Sequence, residues 1–376
     1  MNIKMVDLKG QYDKISEEVN KGIQDVINST SFINGPQVKE FNKNLSDYHS
    51  GINVVSCANG TDALQIALMS LDLKPGDEVI VPVHTYVATA EVIALLRLKP
   101  IFVDVDPDFF TIDINQIEEK ITKNTKAIVP VHLYGQCANM EVIMQIASKH
   151  NLYVIEDTAQ AIGAIYTFSN GKTAIAGTIG DIGTTSFFPS KNLGCYGDGG
   201  AMFIKDNELA KKCHMIANHG QSIKYHHDII GCNSRLDSMQ AAILNVKLKY
   251  IDDYSGARQK AATIYNELLK DVFGIKTPKV SDFSTHVYHQ YTLVVDESIN
   301  RNDLKTFLKG KGVPSMIYYP IPLHRQKAYE KELVSGENFP VTERLSNTVL
   351  SLPIHTELTR EEQEFVVSSL IEFLNK

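Results

Sequence analysis

The chain has 376 residues, of which 43% are hydrophobic and 22% charged, and a formal net charge of −7. A chain of this length can form a large domain and a small one, each with a core that needs no covalent staples. The acidic balance offers no basic excess for a nucleic-acid backbone, and no stretch of about 18 apolar residues is present to span a membrane, so neither partner is expected.

Short β-branched runs alternate with helical patterns through the first half. Residues 53–57 read as a strand and 61–71 as a helix, with Leu64, Ala67, Leu68 and Leu71 on one face. A strand over 78–83 follows the Pro75-Gly76-Asp77 turn, and a helix over 88–98 comes next. Strand 101–105, helix 114–121, strand 127–132, helix 140–150 and strand 153–156 continue the rhythm. Repeated β-α-β units predict an α/β fold with a mixed, mostly parallel sheet and helices on both faces. Strands over 184–188 and 200–204 are joined by a glycine-rich loop, and helices are predicted over 236–251 and 257–269. Beyond these, strands 288–295 and 315–319 and helices 302–310, 341–350 and 359–374 predict a smaller α+β domain. The boundary divides the chain into a large domain, 1–250, and a small one, 251–376.

Five scattered cysteines without a CxxC pair argue against a disulfide framework or a zinc cluster. Residues 1–11 carry Lys4, Asp7 and Lys9 and no apolar core, so they do not read as a signal peptide, and a cytoplasmic location is expected. His219 and the His226-His227 pair lack a ligand-like spacing to carboxylates or cysteines; they read, with His324, as loop residues near a substrate, and no metal is expected.

Chemistry concentrates in two places. The strand that runs into Glu156-Asp157 brings carboxylates to the carboxyl edge of the sheet, where α/β proteins bind ligands. The run Ser186-Phe187-Phe188-Pro189-Ser190-Lys191 opens a strand into a turn bearing a lysine, and Gly194, Gly197, Gly199 and Gly200 follow. A carboxylate and a lysine at two strand ends suit pyridoxal phosphate: the amine condenses with its aldehyde and the carboxylate keeps its ring nitrogen protonated. Upstream, Asn59-Gly60-Thr61 precedes a helix whose free N–H groups can hold a phosphate.

These segments and their order resemble the DegT/DnrJ/EryC1/StrS sugar-nucleotide aminotransferases, with the fold of type I pyridoxal phosphate-dependent transferases. The likeness runs from "FINGPQVKEF" through "SCANGTDALQIAL", "HTYVATA", "VIEDTAQAIGA", "TTSFFPSKNLGCYGDGGA" and "NSRLDSMQAAIL" to "YYPIPLH". It implies Lys191 as Schiff-base lysine and Asp157 as partner of the ring nitrogen. It also implies Gln160 near the ring hydroxyl, Tyr86 stacked on the ring, and Gly60, Thr61 and Ser186 at the phosphate. Asn233 would reach the phosphate from a partner subunit, making a homodimer with shared sites. Arg235, Tyr318 and Tyr319 would contact substrate. The implied reaction moves an amino group from an amino acid, expected to be glutamate, to a keto-sugar nucleotide, with pyridoxamine phosphate formed in between. The wording is closest to enzymes acting on a UDP-linked 2-acetamido-3-keto-glucuronate in glycan and O-antigen (lipopolysaccharide) biosynthesis, although Tyr318 stands where such enzymes often carry histidine. The alternatives are a dTDP-linked 3-keto-6-deoxyhexose and a non-enzymatic regulator. A nicotinamide dehydrogenase would need a richer glycine fingerprint than "SCANGTDAL".

Overall fold

The computed structural model describes residues 3–329 and 337–376. Its main sheet has seven strands in the order Asn53–Cys57, Gly200–Ile204, Ile182–Ser186, Tyr153–Asp157, Thr125–Ile128, Glu78–Pro82 and Lys99–Val103. Gly200–Ile204 pairs antiparallel with both its neighbours, and the remaining pairs are parallel. Every residue of Glu78–Pro82 and of Gly200–Ile204 is buried, as strands covered on both faces must be. One core lies beneath the helices Gly60–Ser70 and Ala88–Leu95, and another beneath Met140–His150.

The fold is thus α/β, with a mostly parallel sheet between helices, as the sequence predicts. The second, smaller sheet is antiparallel and joins Ile275–Lys276, Tyr291–Val295 and Val349–Leu352. Its core gathers Tyr265, Tyr291, Leu293, Leu304, Leu350 and Val366. The helix Ile251–Leu269 starts with Ile251 in the core around Phe41 and Phe187 and ends with Tyr265 and Leu269 in the small-sheet core. Ile3 also packs into that core, so the amino-terminal strap crosses from the small sheet to the helix Leu8–Ser29.

Three expectations fail locally. Residues 114–121 form only a single 3₁₀ turn, Glu118–Lys120. The Asp113 side chain accepts from the Asn115 N–H at 3.0 Å and from Gln116 Nε2 at 2.8 Å, a local turn that competes with helix. Residues 315–319 make one bridge, Met316 to Ser351, instead of a strand, bracketed by Pro314 and Pro320. The helix near 341–350 stops at Thr348, and Val349–Leu352 becomes a fully buried strand. Helices Leu8–Ser29, Pro36–Tyr48 and Asn207–Ala217 join the elements read from sequence.

Candidate active site

A cavity of about 530 Å³ opens at the carboxyl edge of the main sheet. Gly60, Thr61, Tyr86, Asp157, Gln160, Ser186, Lys191, Tyr318 and Tyr319 all line it. Asn233 and Arg235 do not; Asn233 is exposed and Arg235 half-buried on a separate segment. His324 is buried elsewhere, its Nε2 2.7 Å from Glu343 Oε1, which corrects its reading as a substrate-side loop residue.

The floor of the cavity is made where three elements end. Tyr153–Asp157 delivers Asp157, which is 6% exposed. Thr89 Oγ1 donates to its Oδ2 at 2.9 Å and the Ala159 N–H to its Oδ1 at 3.1 Å, so both oxygens are oriented. Glu156, one residue before, points the opposite way into the protein. It accepts from the N–H groups of Gly177, Ile179 and Gly180 at 2.7–2.9 Å and lies 2.9 Å from His132 Nε2. Burial raises the Glu156 pKa, but His132 and these donors outweigh it and hold the carboxyl below its ordinary value. His132 Nδ1 accepts from the Ala138 N–H, so Nε2 carries the proton it gives to Glu156. The pair locks the end of the strand that presents Asp157.

Lys191 follows the strand Ile182–Ser186, its backbone tied to Phe188 O at 2.8 Å. Burial pushes its pKa down to about 8, opposed by the Asp157 charge. Its Nζ has no ion-pair partner among the described residues, so the amine faces the cavity as a potential nucleophile.

The third element is the helix Gly60–Ser70. Asn59 Oδ1 caps the Asp62 N–H at 2.8 Å, and the N–H groups of Gly60 and Thr61 have no intrahelical acceptor. A Cβ on Gly60 would lie 2.6 Å from Ser186 Cβ, and one on Gly200 would lie 2.4 Å from Asn59 C. Glycine is therefore required for the two backbones to close around this anion-favouring corner.

Gln160 bridges the walls. Its Oε1 accepts from the Tyr134 N–H at 2.7 Å, and its Nε2 donates to Tyr319 Oη at 3.2 Å. Tyr86 is 55% exposed with its ring 6.0 Å from that of Tyr319. Sequence reasoning missed Thr85, Thr185, His289 and Gln290. Each lines the cavity and carries a buried polar atom without a partner. Burial, then the nearby Lys191 and Arg258 charges, push the His289 pKa well down, so it is neutral. Thr85 and Thr89 sit within "HTYVATA", where their spacing about Tyr86 was the available signal; His289 and Gln290 had none.

A lysine facing a fixed carboxylate, a phosphate-ready helix end and unpartnered polar atoms between them fit pyridoxal phosphate. Fold and site define a type I pyridoxal phosphate-dependent transferase. Residues 13–371 match the DegT/DnrJ/EryC1/StrS aminotransferase family, and the chain belongs to it. It is therefore an aminotransferase, and the family is pyridoxal phosphate-dependent. The chain is 46% identical over 368 residues to the UDP-2-acetamido-2-deoxy-3-oxo-D-glucuronate aminotransferase of Pseudomonas aeruginosa, covering 98% of this chain and 99% of that one. It is 45% identical over 375 residues to a pleiotropic regulatory protein of Geobacillus stearothermophilus, covering 99% of each. The S. venezuelae DesV structure with a ketimine intermediate superposes at a TM-score of 0.94 with 36% identity, covering 100% of this chain and 99% of that one.

Proposed function

We propose that the protein transfers an amino group from an amino acid, glutamate by preference, to the 3-keto group of a UDP-linked 2-acetamido-glucuronate. The observation that carries the transfer is the unpartnered Lys191, its pKa lowered to about 8, opposite Asp157 in one cavity. The 46% identity to an enzyme named for the UDP-linked 3-oxo-glucuronate supports the acceptor.

The bound cofactor supplies an aldehyde and an electron-withdrawing ring. Gly60, Thr61 and Ser186 would hold its phosphate, Asp157 its ring nitrogen, Gln160 its ring hydroxyl, and Tyr86 would cover its face. Lys191 would anchor it covalently, and its Nζ, when free, would take up and return a proton at the reacting carbons. A pKa near 8 suits both roles, because the amine loses and regains its proton close to neutral pH.

We further infer a homodimer with shared sites. Asn233 is exposed, and Phe32, Ile33, Ile223, Tyr225 and Ile230 are large apolar side chains 46–87% exposed, which favours burial against a second copy. Asn233 then completes the partner's phosphate corner, and Arg235 offers a bidentate fork to the uronate carboxylate. The test is a panel of keto-sugar nucleotides assayed with glutamate, using unaltered protein and Arg235→Ala. The UDP-uronate should be the best acceptor, and Arg235→Ala should hurt it far more than a dTDP-linked 6-deoxy sugar. A preference for the dTDP sugar would overturn the acceptor reading. Mixing inactive Lys191→Ala and Asn233→Ala proteins should restore activity through one intact site per heterodimer; none, despite subunit exchange, would refute shared sites.

A further inference from the structure

We propose that Asp198 is a specificity-determining residue that accepts hydrogen bonds from a hydroxyl or amide N–H on the acceptor sugar. The inference rests on the keto-sugar reading above. Among the described residues, two carboxylates line the cavity, Asp157 and Asp198. Both oxygens of Asp157 already accept from Thr89 and Ala159. The Asp198 side chain is exposed and has no hydrogen-bond or ion-pair partner among the described residues. It is the carboxylate free to meet a substrate.

Its loop is not a loose surface turn. Lys247 Nζ donates to Gly194 O at 2.5 Å. Gln240 accepts from the Tyr196 N–H at 2.9 Å and donates back to Tyr196 O at 3.4 Å. The Cys195 N–H donates to Phe187 O at 2.8 Å, and the Phe187 N–H to Gly199 O at 2.7 Å. The glycines on either side of Asp198 are pressed against the protein: a Cβ on Gly197 would lie 2.9 Å from Gln240 Nε2, and one on Gly199 would lie 3.0 Å from Leu236 Cδ1. The loop is tied at both ends of the carboxylate, so the acceptor is oriented before substrate arrives, and little ordering entropy is lost on binding.

The sign of the charge selects what it can meet. A carboxylate disfavours a phosphate or uronate group beside it and favours neutral donors. It therefore orients the sugar, with a hydroxyl or acetamido N–H edge toward Asp198 and the anionic groups turned away. A bound substrate lacking that donor would cover the carboxylate without pairing it, which is how a polar site rejects analogues.

The two half-reactions separate this role from a structural one. In single-turnover absorbance measurements, the glutamate half should change less than twofold in Asp198→Ala. The keto-sugar half should lose about tenfold to a hundredfold in kcat/KM, mostly in KM. Asp198→Asn, whose amide oxygen still accepts, should recover most of that loss, and the cofactor absorbance should match the unaltered protein in both variants. Equal losses in the two halves, or none in either, would overturn the proposal while leaving the aminotransferase reading intact. An unaltered protein that completes the glutamate half yet converts no keto-sugar would overturn the parent reading and this one with it.

Discussion

Lys191 and Lys247 are both withdrawn from water, and burial pushes both pKa values to about 8. Their surroundings differ. Lys247, 1% exposed on the helix Ser238–Leu248, donates to Gly194 O and lies 5.3 Å above the Tyr196 ring. Lys191, on a turn after a strand end, lines the cavity and has no ion-pair partner among the described residues. A displaced pKa alone therefore does not mark the candidate catalytic amine; access to the cavity and freedom from a backbone partner do. Lys247 instead ties down the loop that begins with Lys191.

Four experiments can break or sharpen this contrast. The largest effect is expected from Lys191→Ala: turnover should fall by about four orders of magnitude, and borohydride should no longer fix cofactor to the chain. Cofactor trapped on Lys247, or on any other lysine, would reverse the assignment. Asp157→Asn comes second. It keeps the shape but removes the charge, so turnover should drop about a hundredfold, or roughly 3 kcal/mol, while cofactor stays bound. Near-normal turnover would remove Asp157 from its electronic role.

Third, the rate at which cofactor-free protein takes up pyridoxal phosphate should follow the Lys191 free amine. It should rise about tenfold per pH unit up to about pH 8 and level above it. Lys247→Met should leave that midpoint in place; a midpoint near 10.5 would mean that Lys191 is not desolvated. The smallest effects concern stability. Both folded-state pKa values lie below the ordinary lysine value of 10.5. The cost of burying the charges is thus complete below about pH 8 and declines as pH rises toward 10.5, where the unfolded chain loses its protons too. Lys191→Met should therefore stabilise the cofactor-free protein by about 1–3 kcal/mol at pH 7, and by almost nothing above pH 10.5. Lys247→Met should change it by less than about 1 kcal/mol, because the charge removed is offset by an orphaned Gly194 carbonyl. Denaturant midpoints across pH distinguish the two; equal gains would show that the Gly194 contact contributes nothing.

How far the site could be read in advance depended on whether its parts were contiguous. Lys191, Ser186, Gly60 and Thr61 lie in short segments with strong local signatures: an apolar strand, a turn, a helix start. Asp157 could be placed at a sheet edge because a buried strand ends there, although by itself the residue also reads as a helix N-cap and only the strand-end lysine at 191 made it specific. His289, Gln290 and Met5 line the same cavity from segments with no such signature, brought there by the small sheet and the amino-terminal strap. The failed elements follow the same logic. Residues 114–121 had helical periodicity but lost to the Asp113 turn, and 315–319 had strand composition but found only the Met316–Ser351 bridge.

The sequence by itself determined the α/β rhythm, and it pointed to the glycine-lined helix start at Gly60 and to a strand-end lysine and a strand-end carboxylate, since each depends on backbone conformation or spacing within a few residues. Only the tertiary structure decided which lysine faces the cavity and which is satisfied by a carbonyl. It alone decided that Thr89 orients Asp157 and that Lys247 and Gln240 hold the loop on which Asp198 is left free. Those outcomes rest on desolvation and hydrogen bonds between residues tens of positions apart, and the chain must fold before such groups meet.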